Sequence, residues 1–390
     1  MKAARPLTLA GVMSGTSADG IDVALVRIVP HASAPRLTLL VHYAAKYPAA
    51  LRQAVLAAMN ASQTSTAELA RLNWRLGIAY ADAIEAALKK HPIKLDLIGC
   101  HGQTIYHQAK ASPYAGKQIA CTWQIGEPAL IARRIGIPVV SNFRPADMAV
   151  AGQGAPLVPL LDFTLFAHKH RARVLQNIGG IGNLTAIPAG ASTDQLIAFD
   201  TGPGNMIIDA LMARLFGEKY DRGGRIALRG RILQNVLTTA LRQPYFRKSP
   251  PKSAGREQFG AAFTENFLHA CNQAGGAPED AIATSTAFTA ATIARAYERF
   301  VQPRIGAVPV DFIVSGGGAR NLALMDMLRQ QPELHRCKIM PIDDAGIPSQ
   351  AKEAVAFALL AWQTWHRLPG NIPAATGASQ PVILGQISYV

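Results

Sequence analysis

The chain has 390 residues, 49% of them hydrophobic and 16% charged; this excludes a disordered polypeptide and exceeds what one ordinary core accommodates, so two domains are expected. Thirty-nine Lys and Arg against 25 Asp and Glu leave a net charge of +14, compatible with nucleic acid, anionic lipid or an anionic small substrate. No basic run interleaved with aromatics accompanies that charge, which argues against nucleic acid, and the longest apolar run near the C-terminus, Ala354 to Trp362, is too short to span a bilayer.

Cys100, Cys121, Cys271 and Cys337 are far apart and lack CxxC spacing. Neither a zinc site nor a disulfide framework is expected, and a reducing, cytoplasmic setting fits. The apolar run Leu7 to Met13 is interrupted by Ser14 to Asp22 without a cleavage-site pattern, so no signal peptide is expected.

The N-terminal segment reads as strand, glycine-rich turn, strand: Leu7 to Met13, SGTSADG, Ile21 to Ile28, with a third strand over Leu37 to Tyr43. Gly15 and Gly20 permit a backbone whose amides converge on phosphate oxygens, Thr16 and Ser17 offer hydroxyls, and Asp19 or Asp22 could hold Mg²⁺. A hairpin turn favours the same residue types, so this segment alone leaves both readings open.

Helical patterns follow at Ala49 to Met59 and Ser65 to Lys89, then a strand from Leu95 to Cys100 entering HGQTIYH, whose donors and acceptors suit a sugar better than a metal. A Pro/Gly-containing loop leads to a short helix over Glu127 to Arg134 and a strand at Ile137 to Ser141. NFRPADMAVAGQGAP then offers Arg144 for an anionic group and Asp147 for a hydroxyl, although from spacing alone a surface ion pair is favoured. Glycine and proline density from Gly152 to Pro159 places the domain boundary near residue 160.

The second half again opens with strand, turn, strand: Arg173 to Gln176, NIGGIGN, Leu184 to Ile187. The strand Leu196 to Phe199 delivers Asp200 into the turn DTGPGN, where a carboxylate stands beside a backbone that glycine lets approach a ligand. Helices are expected over Asn205 to Phe216 and Arg225 to Leu241, a basic proline-rich loop over Pro244 to Gly260, and helices at Ala262 to Asn272 and Ala281 to Arg299. The strand Val310 to Val314 enters SGGGARN, whose glycines leave a flat surface for an adenine or ribose before the helix Leu322 to Gln331. A strand near Lys338 to Pro341 and a final helix from Ser349 to His366 follow; in that helix Glu353 either complements the helix dipole or reaches a sugar.

The set SGTSADGID, HGQTIYH, QIGEPALIA, NFRPADMAVAGQGAPLVP, NIGGIGNLT, FDTGPGNMIID, YDRGG, PPKSAGREQF, SGGGARN and KEAVAFALLA resembles the anhydro-N-acetylmuramic acid kinase family over nearly the whole chain. The resemblance implies an α/β, two-lobed actin-like ATPase (ribonuclease H-like) fold with its active site in the interdomain cleft, residues 1–160 forming one lobe and 161–390 the other. The last helix and tail are expected to pack back on the first lobe. It further implies ATP and Mg²⁺ as cofactors, a homodimer, and hydrolytic opening of 1,6-anhydro-N-acetylmuramic acid with phosphorylation of O6 in cell-wall recycling. By the same resemblance Asp200 is the general base, and Ser14, Gly15, Thr16, Ser17, Ala18, Asp19, Gly20, Ile21 and Asp22 hold phosphates and metal. Asn177, Gly179, Gly180, Asn183, Gly202, Gly204, Asn205, Gly316, Gly317, Gly318 and Asn321 complete the nucleotide site, with His101, Gly102, Thr104, Arg144, Asp147 and Glu353 on the sugar side. QIGEPALIA departs from the family pattern in carrying Glu127 where an aspartate is expected. The alternatives are a simple hydroxyl kinase of another amino sugar and a non-catalytic nucleotide-dependent regulatory protein.

Overall fold

The computed structural model describes residues 5–15, 18–31 and 34–390, with Arg256 described by its backbone alone. Thr16 and Ser17 lie outside the described residues. The chain divides into two compact α/β units, residues 1–165 with 350–390, and residues 166–349.

The first unit is built on β1 (Leu7–Met13), β2 (Gly20–Val29) and β3 (Arg36–Lys46), paired antiparallel in succession. β4 (Leu97–Cys100) lies parallel to β1 on its other side. The chain next forms an antiparallel ribbon of its own, β5 (Gln103–Tyr114) with β6 (Lys117–Ile125), before β7 (Val139–Ser141) joins parallel to β4. The sheet order is β3-β2-β1-β4-β7, extended beyond β7 by the antiparallel strand Gln386–Ser388.

The second unit repeats that plan. β8 (Ala172–Ile178), β9 (Gly182–Ile187) and β10 (Ile197–Gly202) are antiparallel neighbours, while β11 (Val310–Ser315) and β12 (Cys337–Pro341) run parallel to β8 in the order β10-β9-β8-β11-β12. Three antiparallel strands followed by two parallel ones is the order of a ribonuclease H-like sheet, and it occurs in each unit. Each sheet therefore passes from its first to its second antiparallel strand, β1 to β2 in one and β8 to β9 in the other, at the same end as the C-terminus of its parallel central strand.

The cores follow from apolar strand faces covered by helices. In the first unit the helix Lys352–Trp365 is buried along nearly its whole length. It lies so close on the sheet that a Cβ at Gly11 would stand 1.8 Å from the Ala354 carbonyl oxygen and one at Gly99 2.2 Å from that of Phe357. In the second unit the helix Pro278–Ala296 is buried on almost every side, and its Ala290, Ile293 and Ala294 pack with Val174, Phe199 and Phe312 of the strands. Among the described residues no helix is long and apolar enough to cross a membrane.

The loop expected over Pro244 to Gly260 contains a 3₁₀ turn, Pro244–Arg247, and a short helix, Arg256–Phe259, and two other stretches differ more from the sequence reading. The segment after HGQTIYH, expected to be a loop, is the β5–β6 hairpin, because Ala115 and Gly116 both adopt positive φ (46° and 78°), the geometry of a two-residue hairpin turn whose twist matches its strands. HGQTIYH accordingly straddles the end of β4 and the start of β5. The expected helix Arg225 to Leu241 is a short 3₁₀ turn over Ala227–Arg229, preceded by another over Arg222–Gly224, and a helix only over Gln234–Ala240. Asp221 captures the amides of Ile226 and Ala227 at 3.0 Å each, offering the backbone a local alternative to continued helix.

Lys352 and Asp162, both buried, form an ion pair at 2.7 Å inside the first unit. Removing one partner of such a pair leaves an uncompensated charge. Lys352→Met is expected to destabilise the first unit by about 3–5 kcal/mol, with much of that loss recovered in Lys352→Met/Asp162→Leu; urea denaturation of both variants checks this.

Candidate active site

In the first unit the turn after β1 is held from below. Ser14 donates its hydroxyl hydrogen to Oε1 of Gln103 at 2.7 Å, Tyr47 donates to Ser14 at 2.8 Å, and the Tyr80 hydroxyl lies 3.3 Å from that of Tyr47. The Gln103 amide nitrogen also donates to the Gly15 carbonyl at 3.2 Å. One buried glutamine thus fixes the first two residues of the turn. Beyond the undescribed pair, Ala18 is held at a φ of 51°, a conformation that a side chain other than glycine's adopts at a cost; its amide donates to the Gly15 carbonyl at 3.1 Å, and its own carbonyl accepts from Arg52. Ile21 is buried on β2 as a core residue, and Gly20 lies within the β2–β3 ladder.

Asp19 is exposed and 3.3 Å from Arg52, while Asp22 accepts from His42 at 2.8 Å through Oδ1. Among the described residues the second oxygen of each carboxylate has no hydrogen-bond or ion-pair partner. Mg²⁺ is commonly held by one or two carboxylates with waters and substrate phosphates completing its shell, and this donor set fits such an ion.

His101, Arg144 and Glu353 form a second cluster in the first unit. The buried His101 ring donates from Nδ1 to the Gly102 carbonyl at 2.8 Å, which leaves Nε2 to accept from Nε of Arg144 at 3.0 Å. This is the neutral tautomer, and burial together with the neighbouring guanidinium drives the His101 pKa well down. Arg144 is lowered to about 10 by burial and remains charged at neutral pH, supported by Glu353 and Asp147. Glu353 is raised by desolvation, against which Arg144 and Lys352 act. Gly102 adopts a φ of 77° before β5, and Thr104 accepts from Gln124 at 3.2 Å.

Asp147 is wholly buried rather than presented to solvent. Its Oδ1 accepts from Asn371 and Thr376, each at 2.7 Å, and Oδ2 accepts from the Gly154 amide at 2.8 Å. Gly154 in turn accepts from Arg144 at 2.7 Å. The carboxylate therefore ties the C-terminal tail to the loop that braces Arg144, a role with no signal in a sequence where residues 147 and 371 are so far apart.

In the second unit DTGPGN folds onto NIGGIGN. Asn205 and Met206 donate their amides to the carbonyls of Gly179 and Gly180 at 2.8 and 3.0 Å, and the Asn205 side chain donates to the Ile178 carbonyl at 3.1 Å. Gly204 has a φ of 52°, and a Cβ there would stand 2.4 Å from the Gly179 oxygen, so the close approach demands glycine. Asn183 pairs with Asp200 across the β9–β10 ladder and is exposed, as is Gly180. In SGGGARN, Gly316 and Gly318 are packed against Ile178, whereas Gly317 is exposed and a Cβ there would meet only the Asn205 side-chain nitrogen, at 3.5 Å. Asn177 approaches Ser315 at 3.4 Å, and Asn321 caps the helix Leu322–Arg329 by accepting the Leu324 amide.

Asp200 sits at the end of β10 with its position set from three sides. Its amide donates to the Lys252 carbonyl at 3.0 Å, its carbonyl accepts from Tyr245 at 2.6 Å, and its Oδ2 accepts from the Ala254 amide at 2.8 Å. Desolvation raises its pKa to about 6, against the Ala254 hydrogen bond and the Lys252 charge, which pull it down. A raised carboxylate near neutrality is matched to accepting a proton. The sequence reading gave no role to Tyr47, Tyr245 or the Lys252–Ala254 segment and none as a brace to Gln103; of these, Gln103 lay within the motif HGQTIYH and the Lys252–Ala254 segment within PPKSAGREQF.

The Gln103 bonds give a direct test. Gln103→Leu leaves the buried Ser14 hydroxyl hydrogen without its acceptor and takes one of two donors from the Gly15 carbonyl, and is expected to cost the first unit about 1–3 kcal/mol. Thermal unfolding measured beside that of the milder Gln103→Glu checks it.

The profile of the family described as anhydro-N-acetylmuramic acid kinase matches residues 7–390. The chain is 44% identical over 384 residues to the anhydro-N-acetylmuramic acid kinase of Bacillus cereus (strain G9842), covering 98% of this chain and 99% of that relative. The same identity and coverage hold for the enzyme of that name from Bacillus thuringiensis subsp. konkukian (strain 97-27). The exposed turns, the tuned carboxylate of Asp200 and the near full-length match agree: the chain belongs to the anhydro-N-acetylmuramic acid kinase family.

Proposed function

We propose that the protein is an ATP-dependent kinase that hydrolytically opens 1,6-anhydro-N-acetylmuramic acid and phosphorylates O6, giving N-acetylmuramic acid 6-phosphate and ADP in peptidoglycan recycling. The observation that carries this reading is Asp200, a carboxylate fixed by the Ala254 amide beside a glycine turn, with its pKa raised to about 6. At pH 7 such a group is roughly nine-tenths ionised and still basic enough to take a proton from water. The family membership and the relatives' names support the same chemistry and do not favour a hydroxyl kinase or a non-catalytic binder.

The reaction needs one base. Water attacks the anomeric carbon as Asp200 removes its proton; the C1–O6 bond breaks, and the electron pair leaves on O6. That oxygen attacks the γ-phosphorus, the bond to the β–γ bridging oxygen breaks, and ADP departs. The anhydro bridge is thus opened and capped without a free O6 hydroxyl ever being deprotonated, so catalysis rests on positioning and charge stabilisation.

In the first unit the turn from Ser14 to Asp22 is assigned to phosphate binding, and Asp22, with Asp19 as its neighbour, would hold Mg²⁺, which supplies charge neutralisation on the phosphates. His101, Gly102, Thr104, Arg144 and Glu353 are assigned to the sugar, Arg144 to its carboxylate, with Asp147 as the buried brace of Arg144. In the second unit Asn177, Gly179, Gly180, Asn183, Gly202, Gly204, Asn205 and Gly317 are assigned to the nucleotide, and Gly316, Gly318 and Asn321 shape the turn that presents Gly317. A homodimer and a cytoplasmic setting belong to the same proposal.

Turnover in H₂¹⁸O with mass analysis of the sugar phosphate tests the reaction. Label at C1 with none in the phosphoryl group is expected, and absence of sugar-dependent turnover rejects the reading. Asp200→Asn is expected to keep nucleotide binding while losing turnover by about 10² or more. The pH profile should fall on the acid side of about 6, where Asp200 becomes protonated. Folding stability has the opposite slope there. The folded pKa lies above the ordinary value of 3.8, so between the two the native state binds more protons than the unfolded chain, and this group's contribution weakens as pH rises. Asp200→Asn should therefore be more stable than the parent at pH 8, as thermal unfolding would show.

A further inference from the structure

The second unit contains a cavity of about 690 Å³ against the edge of β10, walled by Thr201 of that strand, by the 241–252 segment and by the C-terminal end of the long helix. Five basic side chains line it: Arg242, Arg247, Lys252, Arg295 and Arg299. Among the described residues none of the five is in an ion pair, although Glu298 and Glu333 also belong to the lining. Elsewhere in the unit arginines do find carboxylates, as Arg231 does with Asp280 and Arg329 with Asp326. A solvated basic face would not need to converge on a concavity.

Two features concentrate the charge. Arg295 and Arg299 are four residues apart at the end of the helix Pro278–Ala296, where it passes into a π turn over Tyr297–Val301. Like charges at that spacing repel unless an anion lies between them, and π turns recur at functional sites. Lys252 forms the inner wall, its ammonium 4.6 Å from the ring centre of Phe300, 4.8 Å from Tyr245 and 5.6 Å from Phe199. An ammonium held over three aromatic faces is partly stripped of water, which lowers its pKa to about 8 with Arg299 adding to the effect. Such a cation gains from an incoming anion more than a hydrated one does. The same segment holds the catalytic carboxylate, through the Lys252 carbonyl and the Ala254 amide.

We propose that this pocket binds a small molecule carrying a phosphoryl group, with Arg295 and Arg299 as its main ligands, and that its occupancy is felt at Asp200 through the Lys252–Ala254 segment. The binding stands independently of the reaction assigned above; the coupling rests on Asp200 being its base.

Calorimetric titration of inorganic phosphate and, separately, glucose 6-phosphate into the full chain saturated with a non-hydrolysable ATP analogue tests the site, because the nucleotide positions are then filled. One further equivalent is expected with at least one probe. Its affinity should drop tenfold or more in Arg295→Gln/Arg299→Gln and several-fold in the single variant Arg242→Gln, with the KM for ATP within twofold of the parent. Equal binding of both probes means that the phosphoryl group alone is read; preference for glucose 6-phosphate means that the pocket also reads the sugar. No added heat with either probe, or binding indifferent to the arginine variants, overturns the site. The coupling has its own readout. An anion beside Lys252 offsets the charge that holds the Asp200 pKa down, so the probe that binds should move the acid limb of kcat to higher pH. An unmoved limb despite demonstrated binding overturns the coupling alone.

Discussion

A carboxylate proposed as a base near neutral pH has to be drawn partly out of water without being neutralised by what surrounds it, and the surroundings of Asp200 meet that requirement. Burial raises its pKa, whereas one amide hydrogen bond and one nearby ammonium oppose the rise. A full ion pair would have returned it to the ordinary range of a surface aspartate, and complete burial without a donor would have left it protonated. Lys252 satisfies the balance because its charge stands over aromatic rings instead of against the carboxylate.

The supports of the site are chiefly backbone supports. Asp200 is fixed through its own amide, its own carbonyl and an amide from residue 254, and the two glycine turns of the second unit are stitched by amide–carbonyl bonds between residues 179–180 and 205–206. In the first unit the equivalent turn is instead held by the Gln103 side chain. Similar sheets thus brace their turns by different means, which is why the pattern of strands repeats in the sequence while the residues do not.

Ionic groups in the first unit show how burial assigns roles. Arg144 carries its charge into a setting where His101 can only be neutral, so the histidine acts as an acceptor that orients the guanidinium and not as a second cation. Asp147, which by spacing reads as half of a surface ion pair and otherwise as a hydroxyl acceptor, spends its oxygens on Asn371, Thr376 and Gly154. The tail from residue 371 onward is thereby part of the scaffold behind Arg144.

What the sequence determined by itself was the alternation of strand and helix, the two glycine-rich hairpins, Asp200 at a strand end, and the family, because these depend on local periodicity and on motifs whose residues are contiguous. The β5–β6 ribbon escaped because its turn, Ala115-Gly116, lacks the usual Asn-Gly signature, and the helix expected after Arg225 broke up because the Asp221 carboxylate outcompeted it for amides. Tertiary structure alone decided which polar residues are braces and which are presented: Gln103 under Ser14, Asp147 under the tail, and Lys252 between an aromatic cluster and Asp200. Those roles depend on burial and on partners tens to hundreds of residues away, and no local pattern encodes either quantity.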